Sequence, residues 1–234
     1  TLSIAAAGVL LSTAALADTA SDCAQTADRD KAIAACTTMM KEVAKEKDKL
    51  STAYVNRSAA YQAKGDLKKA LSDMTWGVVY SPKDANLWLK RATIRDGLGQ
   101  NIRAAADYTI ALKADPKLTQ AYIGRGEAYR KLGALPQAIA DASEALKLDA
   151  KSHVALANRA YAQLRLGQVD KAKADAEEAL KLNDKSARAY LVRGLAQEKS
   201  DKAKAVADVK KALEIDPKLK DEKVNQEAIK RLGV

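Results

Sequence analysis

An all-α fold of stacked helix–turn–helix units is predicted for this 234-residue chain by three observations. Marker residues recur every 34 positions, as Arg57, Arg91, Arg125, Arg159 and Arg193 show. Apolar residues follow helical rather than alternating spacing, and Gly falls where helices should end. Composition agrees: 47% of residues are apolar, with two Trp, eight Tyr and no Phe, so large core fillers are few. Such a supply suits helices packed closely through small side chains. Four Pro and eleven Gly are too few for a disordered or all-β chain.

The clearest copy of the unit is Ala121–Ala150. Tyr122, Tyr129 and Leu132 share a face of its first helix, with Gly126 in the middle of that helix, where Gly is tolerated best if another backbone approaches closely. Gly133 is placed to end the helix in a left-handed conformation. Pro136 fits the opening turn of the second helix, and Ile139, Ala142 and Leu146 supply its apolar stripe. A hairpin this small leaves one flank apolar and must stack.

Residues 1–17, TLSIAAAGVLLSTAALA, are apolar and uncharged and end in the small-x-small pattern Ala15-Leu16-Ala17. They predict a secretory leader cleaved after Ala17, and hence a periplasmic or secreted protein with no stable membrane insertion. The alternative is an uncleaved anchor, for which seventeen residues are short. Cys23 follows Ala20-Ser21-Asp22, not the Leu-x-small triplet that lipidation requires. Cys23 and Cys36 are the only cysteines; a disulfide pinning an N-terminal segment (18–50) to a half-repeat helix is expected in an oxidising compartment. A free Cys23 with a buried Cys36, or a redox or metal pair, are the alternatives.

From Asp28 to Lys41 the chain matches the second helix of the unit, with Ala32 and Cys36 in packing positions. Five full units follow over 51–217, at about 51–84, 85–118, 119–152, 153–186 and 187–219. Gly65, Gly99, Gly133 and Gly167 keep the register, as do Ala70, Ala104, Ala138, Ala172 and Ala205, the last a residue early. Asp73, Asp107, Asp141, Asp175 and Asp208 show the same shortfall, which places the missing residue in a Ser200–Ala203 loop. Residues 218–234, with Val224, Ile229 and Leu232 on one side, form a C-terminal capping helix.

The period and unit resemble the tetratricopeptide repeat family over about residues 28–217. The large residue early in the first helix is Tyr54, Trp88, Tyr122, Leu156 and Tyr190, and the small residue four positions on is Ser58, Ala92, Gly126, Ala160 and Gly194. The mid-helix Tyr survives as Tyr61 and Tyr129, and the closing Pro as Pro82, Pro116 and Pro217. The resemblance implies an α-solenoid, a right-handed superhelix whose first helices line a concave peptide-binding groove. By register that groove takes Val55, Leu89, Ile123, Ala157 and Leu191, then Glu127, Tyr161 and Leu195, with Val154 and Leu164 beside them. These side chains either bind a partner or pack between helices and beneath the C-terminal helix.

Where the family usually has an aliphatic residue this chain has Arg, five times, beside a fivefold Asp. The expectation is five structural ion pairs among Arg57, Arg91, Arg125, Arg159, Arg193 and Asp73, Asp107, Asp141, Asp175, Asp208, within a unit or between neighbours. A row of Arg reaching for an anionic ligand is the alternative. Members that grip acidic chaperone tails use Lys, Asn and Arg at positions that here are Val55, Ala59, Lys90, Gln120 and Gly124, so that function is not implied.

One His, no Gly-rich phosphate loop and no nucleophile motif argue against catalysis, and no cofactor or metal is expected. The function predicted is a non-enzymatic protein- or peptide-binding scaffold. The net charge of +10 admits a second class, a basic binder of nucleic acid or envelope polysaccharide. Its basic residues alternate with Asp and Glu, as on a solvated helical surface, which disfavours nucleic acid. A third reading is an architectural subunit of an envelope complex.

Overall fold

The computed structural model describes residues 13–234; the side chains of residues 13–16 and of Lys223 and Val224 lie outside the described residues. The leader expected over 1–17 therefore lies mostly outside them, as does the side chain of Val224. Among the described residues there are thirteen α-helices, one 3-10 helix and no strand. The fold is an all-α succession of helix–turn–helix repeats. Two compact units divide it, the first ending at Gly99 and the second running Gln100–Val234, so the division falls inside the second repeat.

The first unit holds α1 (Thr13–Ala24), α2 (Arg29–Glu42), α3 (Lys47–Ala63), α4 (Leu67–Tyr80) and α5 (Ala85–Gly97). α1 runs through the cleavage point expected after Ala17. A Cys23–Cys36 disulfide ties it to α2, the helix expected as a half-repeat. Both cysteines are buried with Met39, Val43, Leu50 and Ala53. That cluster explains why α3 begins a turn before Ser51: Leu50 is needed as core, so the helix extends to carry it. Asp28 caps α2 by accepting from the amides of Asp30 and Lys31, satisfying donors the helix itself leaves open. Tyr54, Trp76 and Tyr80 stack on one another with ring centroids 5.9–6.2 Å apart.

The second unit holds α6 (Asn101–Ala114), α7 (Thr119–Lys131), α8 (Leu135–Leu148), α9 (His153–Arg165), α10 (Val169–Leu182), α11 (Ala187–Ala196) and α12 (Lys202–Ile215). The 3-10 turn Pro217–Asp221 and α13 (Lys223–Leu232) end the chain. Its core is rich in Ala: Ala138, Ala142 and Ala145 on α8, Ala172, Ala176 and Ala179 on α10, and Ala205 and Ala212, flanking Val209, on α12. Each buried methyl contributes under about 1 kcal/mol, so stability comes from many close helix contacts rather than a few large side chains. The apolar stripe of α8 is accordingly Ala138, Ala142 and Ala145; Ile139 and Leu146 are half-buried, and Leu132, past the end of α7, is 43% exposed.

Repeats one to four leave their first helix through a glycine of positive φ, Gly65, Gly99, Gly133 and Gly167. The fifth has none, and α11 is ten residues long where α7 and α9 have thirteen. The connection is Gln197–Asp201, with Lys202 and Ala203 already helical. The shortening thus lies earlier than the Ser200–Ala203 loop suggested by spacing. With no residue suited to the left-handed exit, the chain unwinds sooner, and Asp201 N–H closes the turn on the Gln197 carbonyl at 2.8 Å. Gly194 is forced by proximity: a Cβ there would stand 2.9 Å from the Ala205 carbonyl oxygen.

Among the described residues no helix is long and apolar enough to cross a membrane, and no three His, Cys, Asp or Glu gather as a metal site.

Candidate functional site

In the second unit α9 packs against both α7 and α11, so the first helices of three successive repeats lie side by side. The second helices α8, α10 and α12 each pack on first helices, which makes α7, α9 and α11 one layer. Two constellations of charge stand out, one repeated in both units and one built on this layer.

The first repeats along the chain. Arg57 donates from Nε and Nη2 to the two oxygens of Asp73 at 2.7 and 2.8 Å. Arg125 does the same to Asp141 at 2.8 Å, and Arg159 to Asp175 at 2.7 and 2.9 Å. Arg193 binds Asp208 at 2.7 Å twice, with Gln197 Nε2 adding a bond of 2.8 Å to the same carboxylate. Each pair lies within one repeat and joins its first helix to its second. Arg91 and Asp107 belong to different units, and their pairing stays an expectation. The hydrogen bonds donated to their Asp partners raise the pKa of Arg57, Arg125, Arg159 and Arg193 despite opposing burial.

Spacing alone does not reveal the third partner of these guanidiniums. Nη1 of Arg57 donates to the Thr37 hydroxyl, of Arg125 to Thr109 and of Arg159 to Ser143, at 2.8, 3.1 and 3.3 Å. Each hydroxyl directs its proton to the carbonyl four residues back and so presents only acceptor capacity. The acceptor belongs to the preceding helical repeat, so one Arg links its own hairpin to the one before. The available signal was Thr109 and Ser143, each two residues after the marker Asp. Aromatic rings cover four of the five repeated guanidiniums: Tyr54 over Arg57, Trp88 over Arg91, Tyr122 over Arg125 and Tyr190 over Arg193, at 4.6–5.8 Å; the fourth repeat has Leu156 at that position.

The second constellation occurs once. Glu127 on α7 accepts from Arg130 Nε and Nη2 at 2.9 and 2.8 Å, and from Arg188 of α11 at 2.9 and 3.2 Å. Arg188 also donates to Asn158 of α9. Both guanidiniums lie over the Tyr161 ring, at 5.0 and 5.8 Å. Glu222, at the start of α13, accepts from Arg130 through both oxygens at 3.1 Å and from the Tyr161 hydroxyl at 3.1 Å. Asn225 Oδ1 shares that one hydroxyl proton at 3.1 Å, and Asn225 Nδ2 donates to the Leu219 carbonyl at 2.9 Å. Burial works to raise the Glu127 carboxyl, but the Arg130 hydrogen bonds and the Arg188 and Arg130 charges outweigh it and hold it at about 2. Burial opposes the Arg130 charge, yet Glu127 and Glu222 more than offset it and raise its pKa. Tyr161 is raised by burial and by the Glu222 charge.

The groove residues expected from register are placed unevenly. Val55 packs inside the first unit against Ala70, Met74 and Val78, facing Gly77. Leu89 and Ile123 are half-buried, and Val154 is 42% exposed. Ala157, Tyr161 and Leu191 are buried, and Leu164 and Leu195 pack on the cluster that holds Leu219, Ile229 and Leu232. The C-terminal segment therefore covers the apolar floor of repeats four and five. Arg130, Glu222 and Asn225 carry no periodic signal, because they meet only where the chain end folds back onto α7 and α9, 92 residues separating Glu222 from Arg130; Asn158 enters through Arg188, a contact of α9 with α11 made once among the described residues.

A family model described as tetratricopeptide repeat matches residues 89–153 and 158–219, more than half of the sequence. This chain belongs to the tetratricopeptide repeat family. A search of curated proteins gives no match. Solved structures of similar fold include a crystal structure of MamA, 24% identical, with a TM-score of 0.62 over 74% of this chain and 96% of that one. YrrB, described as a TPR protein with an unusual peptide-binding site, is 18% identical, with a TM-score of 0.62 over 83% and 97%. A thermophilic TPR protein from Thermus thermophilus, TTC0263, is 22% identical, with a TM-score of 0.58 over 76% and 98%. At these identities the likeness is one of fold.

Proposed function

We propose that this tetratricopeptide chain is a non-enzymatic scaffold that binds protein or peptide segments on the face formed by its first helices. The observation that carries the reading is that α7, α9 and α11 together hold a short helical segment, residues 217–234, by both charge pairing and apolar contact. A surface that accommodates one helix in this way has the chemistry to accommodate another. The peptide-binding site named for YrrB supports it. Export to an oxidising compartment is part of the proposal, supported by the Cys23–Cys36 disulfide and the leader-like start, and mass spectrometry of the protein from its host should find Asp18 as the first residue.

The test is site-specific photocrosslinking. A photoreactive residue is placed at Gln120 or Val154, exposed on first helices, or at Ile102, which is 74% exposed on the second helix α6. The scaffold reading expects discrete protein adducts from Gln120 and Val154, none of them shared by Ile102, that persist at high salt. No adducts from the first-helix positions, or the same adducts from all three, would overturn it. Adducts that vanish with salt would favour the basic-polymer reading instead.

A further inference from the structure

The C-terminal segment does more than a terminal cap requires. A cap need only cover α12, the last second helix. This segment instead reaches back two repeats to put Glu222 on Arg130 and Tyr161, and Asn225 on Tyr161. The receiving side is organised without it. Glu127 fixes both Arg130 and Arg188 through four hydrogen bonds, and all three residues come from α7 and α11. Remove Glu222, and two guanidiniums face one carboxylate. With the whole segment lifted away, the site would carry one uncompensated positive charge beside a tyrosine hydroxyl whose single proton, now shared by Glu222 and Asn225, has no acceptor in the segment. That is a receptor for a carboxylate.

The fit is also loose. An open cleft of about 250 Å³ lies between α13 and the floor, lined by Tyr161, Leu164 and Leu195 and, at its polar rim, by Arg165, Glu227 and Arg231 among others. Glu222 keeps 30% of its side chain exposed while Arg130 keeps only 9%. Arg231, which binds Glu198 outside the cluster, is 60% exposed. α13 has ten residues, a length at which an isolated helix is marginal, so the segment holds its shape only while docked.

Building on the scaffold reading, we propose that residues 217–234 are an exchangeable ligand of this face, displaced by a partner's amphipathic helix of the same pattern. The pattern is set by what touches the site. A carboxylate stands at the helix N-cap (Glu222), an amide three residues on (Asn225), and aliphatic side chains seven and ten residues on (Ile229 and Leu232). Those offsets lie on one helical face. The segment occupies the site in cis at a high effective concentration, so a partner competes with a tethered rival.

The test uses the full chain and a labelled peptide of residues 216–234 as probe, read by fluorescence anisotropy. Weakening the tethered copy with Glu222→Ala and Asn225→Ala should raise peptide affinity at least tenfold over the unmodified chain. Adding Arg130→Gln to that variant should remove the gain. A folded Glu222→Ala, Asn225→Ala protein that binds peptide no better than the unmodified chain overturns the proposal. Hydrogen exchange on the unmodified chain decides the matter without mutation. Amides of α13 should exchange at least tenfold faster than those of α9, through an opening that leaves α9 closed; equal protection makes the segment a fixed cap and overturns the proposal. If the peptide fails while Gln120 and Val154 still crosslink partners, the scaffold reading survives and only self-occupancy is lost.

Discussion

Replacing Asp141 by Asn isolates the repeated Arg–Asp pair, because it keeps the shape of the side chain and removes its charge. Arg125 donates two bonds of 2.8 Å to Asp141, with 18% of the Arg and 7% of the Asp side chain exposed. In Asp141→Asn one of the two donors would meet an amide N–H instead of an oxygen. Breaking a fully buried pair costs about 3–5 kcal/mol, and an exposed pair is worth about 0–1. Arg125 is nearly a fifth exposed, so an intermediate loss of roughly 2–3 kcal/mol is expected. For a chain of this size that corresponds to a fall in Tm of roughly 5–10 °C. Urea denaturation followed by far-UV circular dichroism supplies the measurement, with the double variant Arg125→Met, Asp141→Leu as comparison. The apolar double variant should recover part of the loss, since desolvation of the charges offsets much of the pair's attraction. A midpoint for Asp141→Asn indistinguishable from the unmodified protein would refute the reasoning. So would a double variant less stable than the single one.

Acid should weaken the second unit through Glu127, whose carboxyl is lowered from 4.5 to about 2. A depressed carboxylate stabilises the fold above its unfolded pKa and loses that stabilisation as pH falls from about 4.5 toward 2, here ~3 kcal/mol in all; urea midpoints across that range should show the loss, and Glu127→Gln should flatten it. Gly194→Ala should destabilise by about 1–3 kcal/mol although Ala is the better helix former by about 1. Its Cβ would meet the Ala205 carbonyl oxygen and Val209 Cγ2, each at 2.9 Å, and backbone cannot swing aside; a thermal melt unchanged or raised would contradict this. Reducing the Cys23–Cys36 disulfide should cost up to about 3 kcal/mol locally and expose α1 to limited proteolysis, while cleavage within α7–α12 stays unchanged.

The hairpin pattern was legible because it repeats. Gly133 and its counterparts, the buried Ala of each second helix and the Arg–Asp spacing all answer to contacts made within one hairpin or between neighbours. Local contacts leave a periodic trace, and five copies make the trace visible. Thr109 and Ser143 left the same kind of trace, less conspicuous because a small hydroxyl on a helix is usual for many reasons. Where register left two readings open, tertiary packing bears on the choice. Tyr161, Leu191 and Leu195 read as groove residues by register, yet the chain's own end lies over them.

Sequence alone thus determined the class of fold, the 34-residue spacing and the residues available for pairing, because each depends on side chains 34 or fewer positions apart. Only the tertiary structure decided what fills the inner face. Glu127, Arg130, Tyr161, Arg188, Glu222 and Asn225 come from three repeats and the chain end, and they converge through stacking rather than through any spacing. A contact made once, across 92 residues, has no period by which to be read.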